Sequence, residues 1–212
     1  MSKHMQAPDF LAKDDLTQAA YFHAKHHLHS DILAHSLRVC MYAIAFSKHE
    51  GTKWHSGRNI ALLSTACLFH DIGTADSYDT GPVRFEIEGA DAATKFLTKH
   101  GVSPEDALEV WVAITLHDTP QIAERISDLA RLVRLAVLTD FGKKDASGTI
   151  SKEDTQAAEQ EFPRGSIEKV LSDAVVAQAM KQSGKAPRHC WPGDLYRAKM
   201  EEPGWEGVNK AF

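Results

Sequence analysis

The stretch CLFHDIGTAD, residues 67–76, ends an apolar run with a histidine and an aspartate side by side. The segment before it, residues 58–69, is rich in leucine and alanine and predicts a buried helix. Burying an unpaired imidazole or carboxylate is costly, so such groups are usually hydrogen-bonded, ion-paired or bound to a metal. His70 and Asp71 therefore require partners from elsewhere in the chain.

Helical periodicity continues through most of the chain, no convincing strand pattern occurs, and the predicted fold is all-α. Capping residues mark several helix ends. Ser30 is the predicted N-cap of a helix that ends at Gly51, and Ser103 with Pro104 is a strong helix start. Gly73 is the expected stop of the helix over 58–69. Further helices are predicted over 85–100, 104–116, about 127–139 and 166–180, with a short one within 143–165. After residue 180, irregular chain pinned by aromatic residues is predicted.

The composition of the 212-residue chain fits one domain, because 43% of its residues are apolar and a second core would be cramped at this length. The formal net charge is -5 and shows no basic excess. This balance argues against nucleic acid or a membrane as partner and leaves a small molecule as the expected substrate. The apolar content permits a homodimer.

Cysteine usage and the N-terminal stretch indicate the compartment. Three cysteines, odd in number and without C-x-x-C spacing, favour a reducing environment. The first ten residues, MSKHMQAPDF, lack the apolar core of a signal peptide. We therefore expect a cytoplasmic protein, with access to the nucleus left open.

Polar side chains interrupt the apolar faces of four predicted elements. Imidazole nitrogen and carboxylate oxygen suit zinc, iron, manganese and related ions. Taken singly, a buried histidine is more often a hydrogen-bonded core residue, and an aspartate near a helix end often caps the next turn. The adjacency of His70 and Asp71 favours convergence on one buried cation. The set consists of His35, His70, Asp71, His117, Asp118 and Asp140.

Two further features of the sequence have both a functional and a purely structural interpretation. The histidines of HAKHHLH, residues 23–29, could bind a metal, but helical spacing spreads them over several faces and favours a solvated or partly packed surface. Arg38 follows His35 by one helical turn. It is expected to be a surface or helix-pairing cation, with substrate binding as the alternative.

The ordered motifs resemble those of the HD-domain superfamily of metal-dependent hydrolases. They are HSLR at 35–38, HDIG at 70–73, LHD at 116–118 and the aspartate at 140. The resemblance covers roughly residues 17–142. It implies a single all-α domain over 1–212, in which the helices of a core at about 17–142 converge on a metal and 143–212 form a helical and irregular extension.

Within this superfamily, the chain is most similar to the fungal cyanamide hydratase-type branch. The similar segments are ILAHSLRVCMYAIAF, LLSTACLFHDIGTAD, RFEIEGADAA and EFPR. The resemblance implies His35, His70, Asp71 and Asp140 as metal ligands. Zinc is the expected ion, with iron, manganese or nickel as alternatives, because this ligand set accepts all of them.

Three residues are the expected catalytic groups. His117 matches a further histidine of the family site, and an imidazole with a pKa near 6.5 can donate a proton near neutrality. Asp71 is expected to orient the nucleophile while it also ligates the metal. Glu86 lies in a stretch that matches the branch's F-E-x-x-G. It is expected to relay a proton or hold a ligand histidine, with a solvated glutamate in a first helical turn as the alternative.

The resemblance implies metal-activated water, whose pKa falls from about 15.7 toward 7, adding to a nitrile such as cyanamide to give urea. The rival reading is a phosphohydrolase using Arg38, Lys143 and Lys144, and a third is a non-catalytic binding module. A small, largely apolar chamber favours a nitrile, whereas an open cleft lined by arginine and lysine favours a phosphate ester. Val137 and Leu138 stand where the branch carries threonines, so the substrate is less well specified than the metal site.

Overall fold

The computed structural model describes residues 6–143 and 147–205, and these residues form an all-α fold, as predicted. They contain no strand, and none of their helices is long and apolar enough to cross a membrane. Short 3₁₀ turns occur at Lys53–His55, Ile72–Thr74, Asp76–Tyr78 and Ser183–Lys185. The α-helices are α1 Asp15–His27, α2 Ser30–Glu50, α3 Gly57–Phe69, α4 Phe85–Lys99, α5 Pro104–Leu116, α6 Ala123–Ile126, α7 Asp128–Asp140, α8 Lys152–Glu161, α9 Ile167–Lys181 and α10 Trp191–Glu201.

Local capping chemistry sets several helix ends where the sequence predicts them. The Ser103 hydroxyl accepts a hydrogen bond from the Asp106 amide at 3.2 Å, at the start of α5. Gly51 follows α2 in the left-handed conformation, with φ of 67°, which suits glycine because it lacks a Cβ. The prediction of Ser30 as N-cap is wrong by one residue. His29 caps α2 instead, since its Nδ1 accepts from the Asp31 amide at 3.2 Å.

Helix α3 lies at the centre of the fold. It packs against α1, α2, α5 and α7, and its residues are buried without interruption from Ala61 to Phe69. Helices α2 and α7 pack against each other, and α5 packs against α7. His70 and His117 follow α3 and α5 directly, and Asp140 is the last residue of α7. Three helix C-termini, where the backbone dipole favours positive charge, thus contribute to one region.

Helix α3 ends at Phe69 as predicted, so Gly73 is not the residue that stops it. Gly73 lies within the 3₁₀ turn Ile72–Thr74, and its role is to permit a close approach to α4. A Cβ there would lie 1.9 Å from the carbonyl oxygen of Phe85. The turn that follows His70 and Asp71 is therefore pressed against the first turn of α4, which carries Glu86.

The tail is more regular than the sequence suggests, and the expectation of irregular chain there is wrong. Helix α10 occupies Trp191–Glu201 and packs on α9. Pro192 stands in the first turn of α10, where a missing backbone N–H costs nothing. An apolar cluster of Phe85, Val175, Val176 and Leu195, with Trp191 and Trp205 packed on it, joins α10 to α9 and α4.

Candidate metal centre

His35, His70 and Asp71 form a compact, buried group of potential metal ligands. Their ligand atoms all lie within 4.8 Å of one another. The His35 Nε2 atom is 3.1 Å from His70 Nε2 and 3.6 Å from Asp71 Oδ2, and His70 Nε2 is 3.1 Å from the same Oδ2. Helices α2 and α3 thus bring together three residues predicted to bind one cation.

Hydrogen bonds at the Nδ1 atoms fix the orientation of the imidazole rings around this group. His70 Nδ1 donates to the Cys67 carbonyl and His117 Nδ1 to the Ile114 carbonyl, both at 2.7 Å. His35 Nδ1 lies 2.7 Å from Asp140 Oδ2. A neutral imidazole protonated at Nδ1 presents a lone pair at Nε2. All three Nε2 lone pairs therefore face the Asp71 carboxylate, an orientation typical of metal-binding histidines.

These donors fit a divalent cation. Two Nε2 lone pairs only 3.1 Å apart repel each other unless a positive charge lies between them. Asp71 Oδ2 is buried and has no hydrogen-bond partner within the described residues. Burial opposes a charge on His70, yet the Asp71 carboxylate raises the pKa of this imidazole. Two imidazoles and one carboxylate are a donor set that zinc, iron, manganese or nickel accepts.

The Asp140 carboxylate lies against the opposite ring nitrogen of His35. Arg38 donates to it twice, from Nε to Oδ1 at 2.7 Å and from Nη2 to Oδ2 at 2.8 Å. Burial alone would raise the pKa of Asp140, but Arg38 and His35 hold it well below its usual value. Asp140 thus orients His35 in this structure, and its direct ligation of a metal stays a prediction.

Arg38 is a helix-pairing cation, as one of the two sequence alternatives proposed, and it is fully buried. Besides Asp140 on α7, its Nη1 donates to the carbonyls of Phe162 at 2.8 Å and Pro163 at 3.3 Å. Arg164 donates to the Asp140 backbone carbonyl. One guanidinium therefore connects α2, α7 and the segment after α8.

His117 completes the wall of the site opposite His35. Its Nε2 lies 3.5 Å from Asp71 Oδ1, and its ring meets that of His70 edge to face. Burial, followed by the nearby His70, lowers the pKa of His117 to about 4. The imidazole is therefore neutral near pH 7 and presents a hydrogen-bond acceptor at Nε2, and its role as a proton donor stays a prediction.

Glu86 is fully buried, which excludes the alternative of a solvated glutamate. Neither of its carboxylate oxygens has a hydrogen-bond partner among the described residues when the group is ionised, and the same holds for Asp118 Oδ2. Burial and the Asp118 carboxyl within hydrogen-bonding reach raise the pKa of Glu86 well above its usual value. Arg84 Nη2 lies 3.5 Å from Glu86 Oε1. Burial and the Asp118 carboxyl both favour the protonated form of Glu86.

Two cavities adjoin these residues. The metal chamber, bordered by the four candidate site residues 35, 70, 71 and 117, has a volume of about 10 Å³. Its other walls are Asp118 and the apolar side chains of Val137, Phe141, Leu171 and Trp191. The outer cleft, of about 380 Å³, is lined by Arg84, Arg134, Thr119 and His189 among others, and by Asp118 and Trp191 again.

The other polar features lie apart from the chamber. His26 and His29 are exposed and His23 and His27 half-buried, as expected of a solvated or partly packed surface. His23 Nε2 lies 2.5 Å from the Tyr78 hydroxyl. Lys143 is exposed, and Lys144 lies outside the described residues.

Sequence reasoning missed the roles of Asp118 and Trp191. Asp118 follows His117 and could have been linked to Glu86 only through its position in the fold. Trp191 lies in a segment expected to be irregular.

A family model described as HD domain matches residues 32–142, slightly more than half of the 212-residue chain. The matched segment contains His35, His70, Asp71, His117 and Asp140. No curated protein shows significant similarity to the chain.

Proposed function

Because the chain belongs to the HD-domain family, whose members are typically metal-dependent enzymes, we propose that it is a metal-dependent hydratase. It adds water to a small nitrile-like substrate such as cyanamide and releases urea. The observation that carries this proposal is the size and lining of the metal chamber. A volume of about 10 Å³ is close to the roughly 10–15 Å³ that one water molecule needs.

The apolar walls of the chamber support a thin, uncharged reacting group. The side chains of Val137, Phe141, Leu171 and Trp191 are apolar and offer no cation to a phosphate ester. Val137 is 2% exposed. Valine is nearly isosteric with the threonine carried by the branch that the sequence resembles, so the chamber keeps its width there but lacks that hydroxyl.

His35, His70 and Asp71 would hold the ion, with Asp140 as a fourth ligand or as the group that orients His35. A divalent ion there supplies Lewis-acid chemistry and brings the pKa of water toward neutrality. Zinc is the first choice and iron, manganese or nickel are alternatives. Asp71 Oδ1 lies 3.5 Å from His117 Nε2, so a water between them would be oriented by both residues.

Proton transfer divides between His117, which lines the chamber, and Glu86, which lies behind the wall residue Asp118. His117 Nε2 accepts a proton from water as the oxygen forms a bond to the nitrile carbon. Glu86, whose protonated form burial and Asp118 favour, supplies a proton that the Asp118 carboxyl at the chamber wall passes to the nitrile nitrogen as that atom gains electrons. Transfer from His117 back to the carboxyl pair restores the starting state. One water is consumed for each urea formed, after the product rearranges to the amide.

A phosphohydrolase is the second candidate, and the outer cleft favours it. Arg84 and Arg134 both line this cleft. Arg134 is 5% exposed and uses Nε and Nη1 for Glu124 and the His117 carbonyl, while no described residue accepts from its Nη2. Guanidinium groups in this position could neutralise a phosphate at the entrance to the chamber.

The deciding experiment compares urea release from cyanamide with phosphate release from a panel of nucleotides on one metal-loaded sample. We expect urea release that disappears in Asp71→Ala together with the bound metal, measured by elemental analysis. Arg131→Met, a surface variant remote from the chamber, serves as the control. Rapid phosphate release without urea would refute the hydratase, and full activity of Asp71→Ala would refute the site.

A further inference from the structure

The metal chamber and the outer cleft share two wall residues, Asp118 and Trp191. The chamber has about 10 Å³ and the cleft about 380 Å³. A substrate larger than water can rest only in the cleft, so its reacting end must pass between these two side chains to reach the ligand atoms. The Asp118 carboxyl lies within hydrogen-bonding reach of Glu86. The indole of Trp191 is the bulkier of the two side chains at the boundary between chamber and cleft.

The Trp191 ring is positioned by packing against the buried Phe85. The two rings meet edge to face with centroids 5.9 Å apart, and Phe85 meets the His117 ring at 5.9 Å on its other side. Val176 and Leu195, on α9 and α10, belong to the same apolar cluster as Phe85. The indole is therefore held at the first residue of α10, next to a side chain that touches the site.

We propose that Trp191 is a specificity-determining residue, whose indole restricts the metal chamber to groups no wider than a linear chain of two or three atoms. This inference deepens the proposed function, since it concerns the same site, but it holds for any ligand that approaches the chamber from the cleft. A ring or a branched group would collide with the indole before it reached His70 and Asp71.

The two apolar walls contributed by α9 and α10 lie outside the segment that matches the HD-domain family. Leu171 and Trp191 line the chamber, whereas the family match ends at residue 142. The ligand atoms come from the shared part of the fold, and the restriction on width comes from the C-terminal helices of this chain.

The test uses two anions of equal charge and different width. Azide is linear and has three atoms, whereas benzoate carries a ring. Both are titrated into Co²⁺-loaded wild-type protein, and binding is followed by the visible absorption of the cobalt, which does not depend on turnover. We expect azide alone to change the spectrum of the wild type. In Trp191→Ala, benzoate should bind at least about tenfold more tightly than to wild type, while azide changes by less than about threefold.

Trp205→Ala is the matched control, because Trp205 packs on the same apolar cluster but does not line the chamber. Trp191→Leu provides a second variant in case the alanine substitution unfolds the C-terminal helices. Equal binding of benzoate and azide to the wild type would overturn the proposal, as would unchanged selectivity in a folded Trp191 variant. Urea release is measured in parallel. If the wild type excludes benzoate but releases no urea, only the hydratase proposal is contradicted. If it releases urea but binds benzoate as well as azide, only the role of Trp191 is contradicted.

Discussion

Replacing Arg38 by methionine should destabilise the fold strongly, because Arg38 neutralises a buried carboxylate. Its Nε and Nη2 donate to Asp140 at 2.7 and 2.8 Å, and both side chains are fully buried. Breaking a buried ion pair by removing one partner costs about 3–5 kcal/mol. Asp140 would keep only His35 Nδ1 at 2.7 Å and Arg164 Nη1 at 3.7 Å as partners of its Oδ2. A protein of this length loses about 2–4 °C of Tm per kcal/mol, so the expected fall is roughly 6–20 °C.

The pH dependence of this loss identifies its cause. In the wild type the pKa of Asp140 lies below its unfolded value of about 3.9. The pair therefore stabilises the fold fully above that value, and the contribution disappears as the pH falls further through the folded pKa. Without Arg38 the buried Asp140 takes up a proton more readily. The deficit of Arg38→Met should thus be largest near pH 7 and shrink on acidification.

Thermal and urea unfolding of metal-free protein in EDTA, at pH values from 4 to 8, measure the effect without a contribution from bound metal. Arg131→Met is the matched control. Arg131 also pairs through two nitrogens with a carboxylate, that of Glu50, but both side chains are about a quarter exposed. Such a surface pair is worth about 0–1 kcal/mol. Equal losses in the two variants, or a deficit independent of pH, would refute the reasoning.

Two further substitutions test the neighbourhood of the site. Gly73→Ala should destabilise the protein by about 1–3 kcal/mol in urea unfolding, because its Cβ would lie 1.9 Å from the Phe85 carbonyl oxygen, and an unchanged midpoint would contradict this close approach. If the hydratase is correct, wild-type activity should fall as the pH rises through the raised pKa of Glu86. Glu86→Gln should lower kcat by about 10²–10⁴ and abolish that alkaline limb, and a pH profile parallel to the wild type would argue against the assignment.

Much of the fold could be predicted because its helix ends depend on local chemistry. Ser103 and Pro104 start α5, and Gly101 follows α4 with φ of 71°. The order of the histidines and aspartates predicts which residues meet, since each sits at or near the end of an apolar helix. His29 replaced Ser30 as N-cap because a histidine Nδ1 can accept from the same backbone amide.

The remaining features depend on contacts between residues distant in sequence. Arg38 and Asp140 are 102 positions apart, and no local pattern distinguishes a buried guanidinium from a surface one. The raised pKa of Glu86 likewise depends on how α4 meets the end of α5. The helical position of Trp191 was missed because the neighbouring Pro192 is typical of irregular chain. In the structure Pro192 stands in the first turn of α10, where proline is tolerated.

The hydrogen bonds after α8 bear on whether the segment that matches the HD-domain family can be joined to other C-terminal segments. The carbonyls of Phe162 and Pro163 accept from Arg38, and the next residue, Arg164, donates to the Asp140 carbonyl. A chimaera joined at residue 142 would keep every candidate ligand and lose these three residues. A chimaera should therefore retain residues 162–164, because the backbone carbonyls of Phe162 and Pro163 and the Arg164 side chain bind the buried Arg38–Asp140 pair.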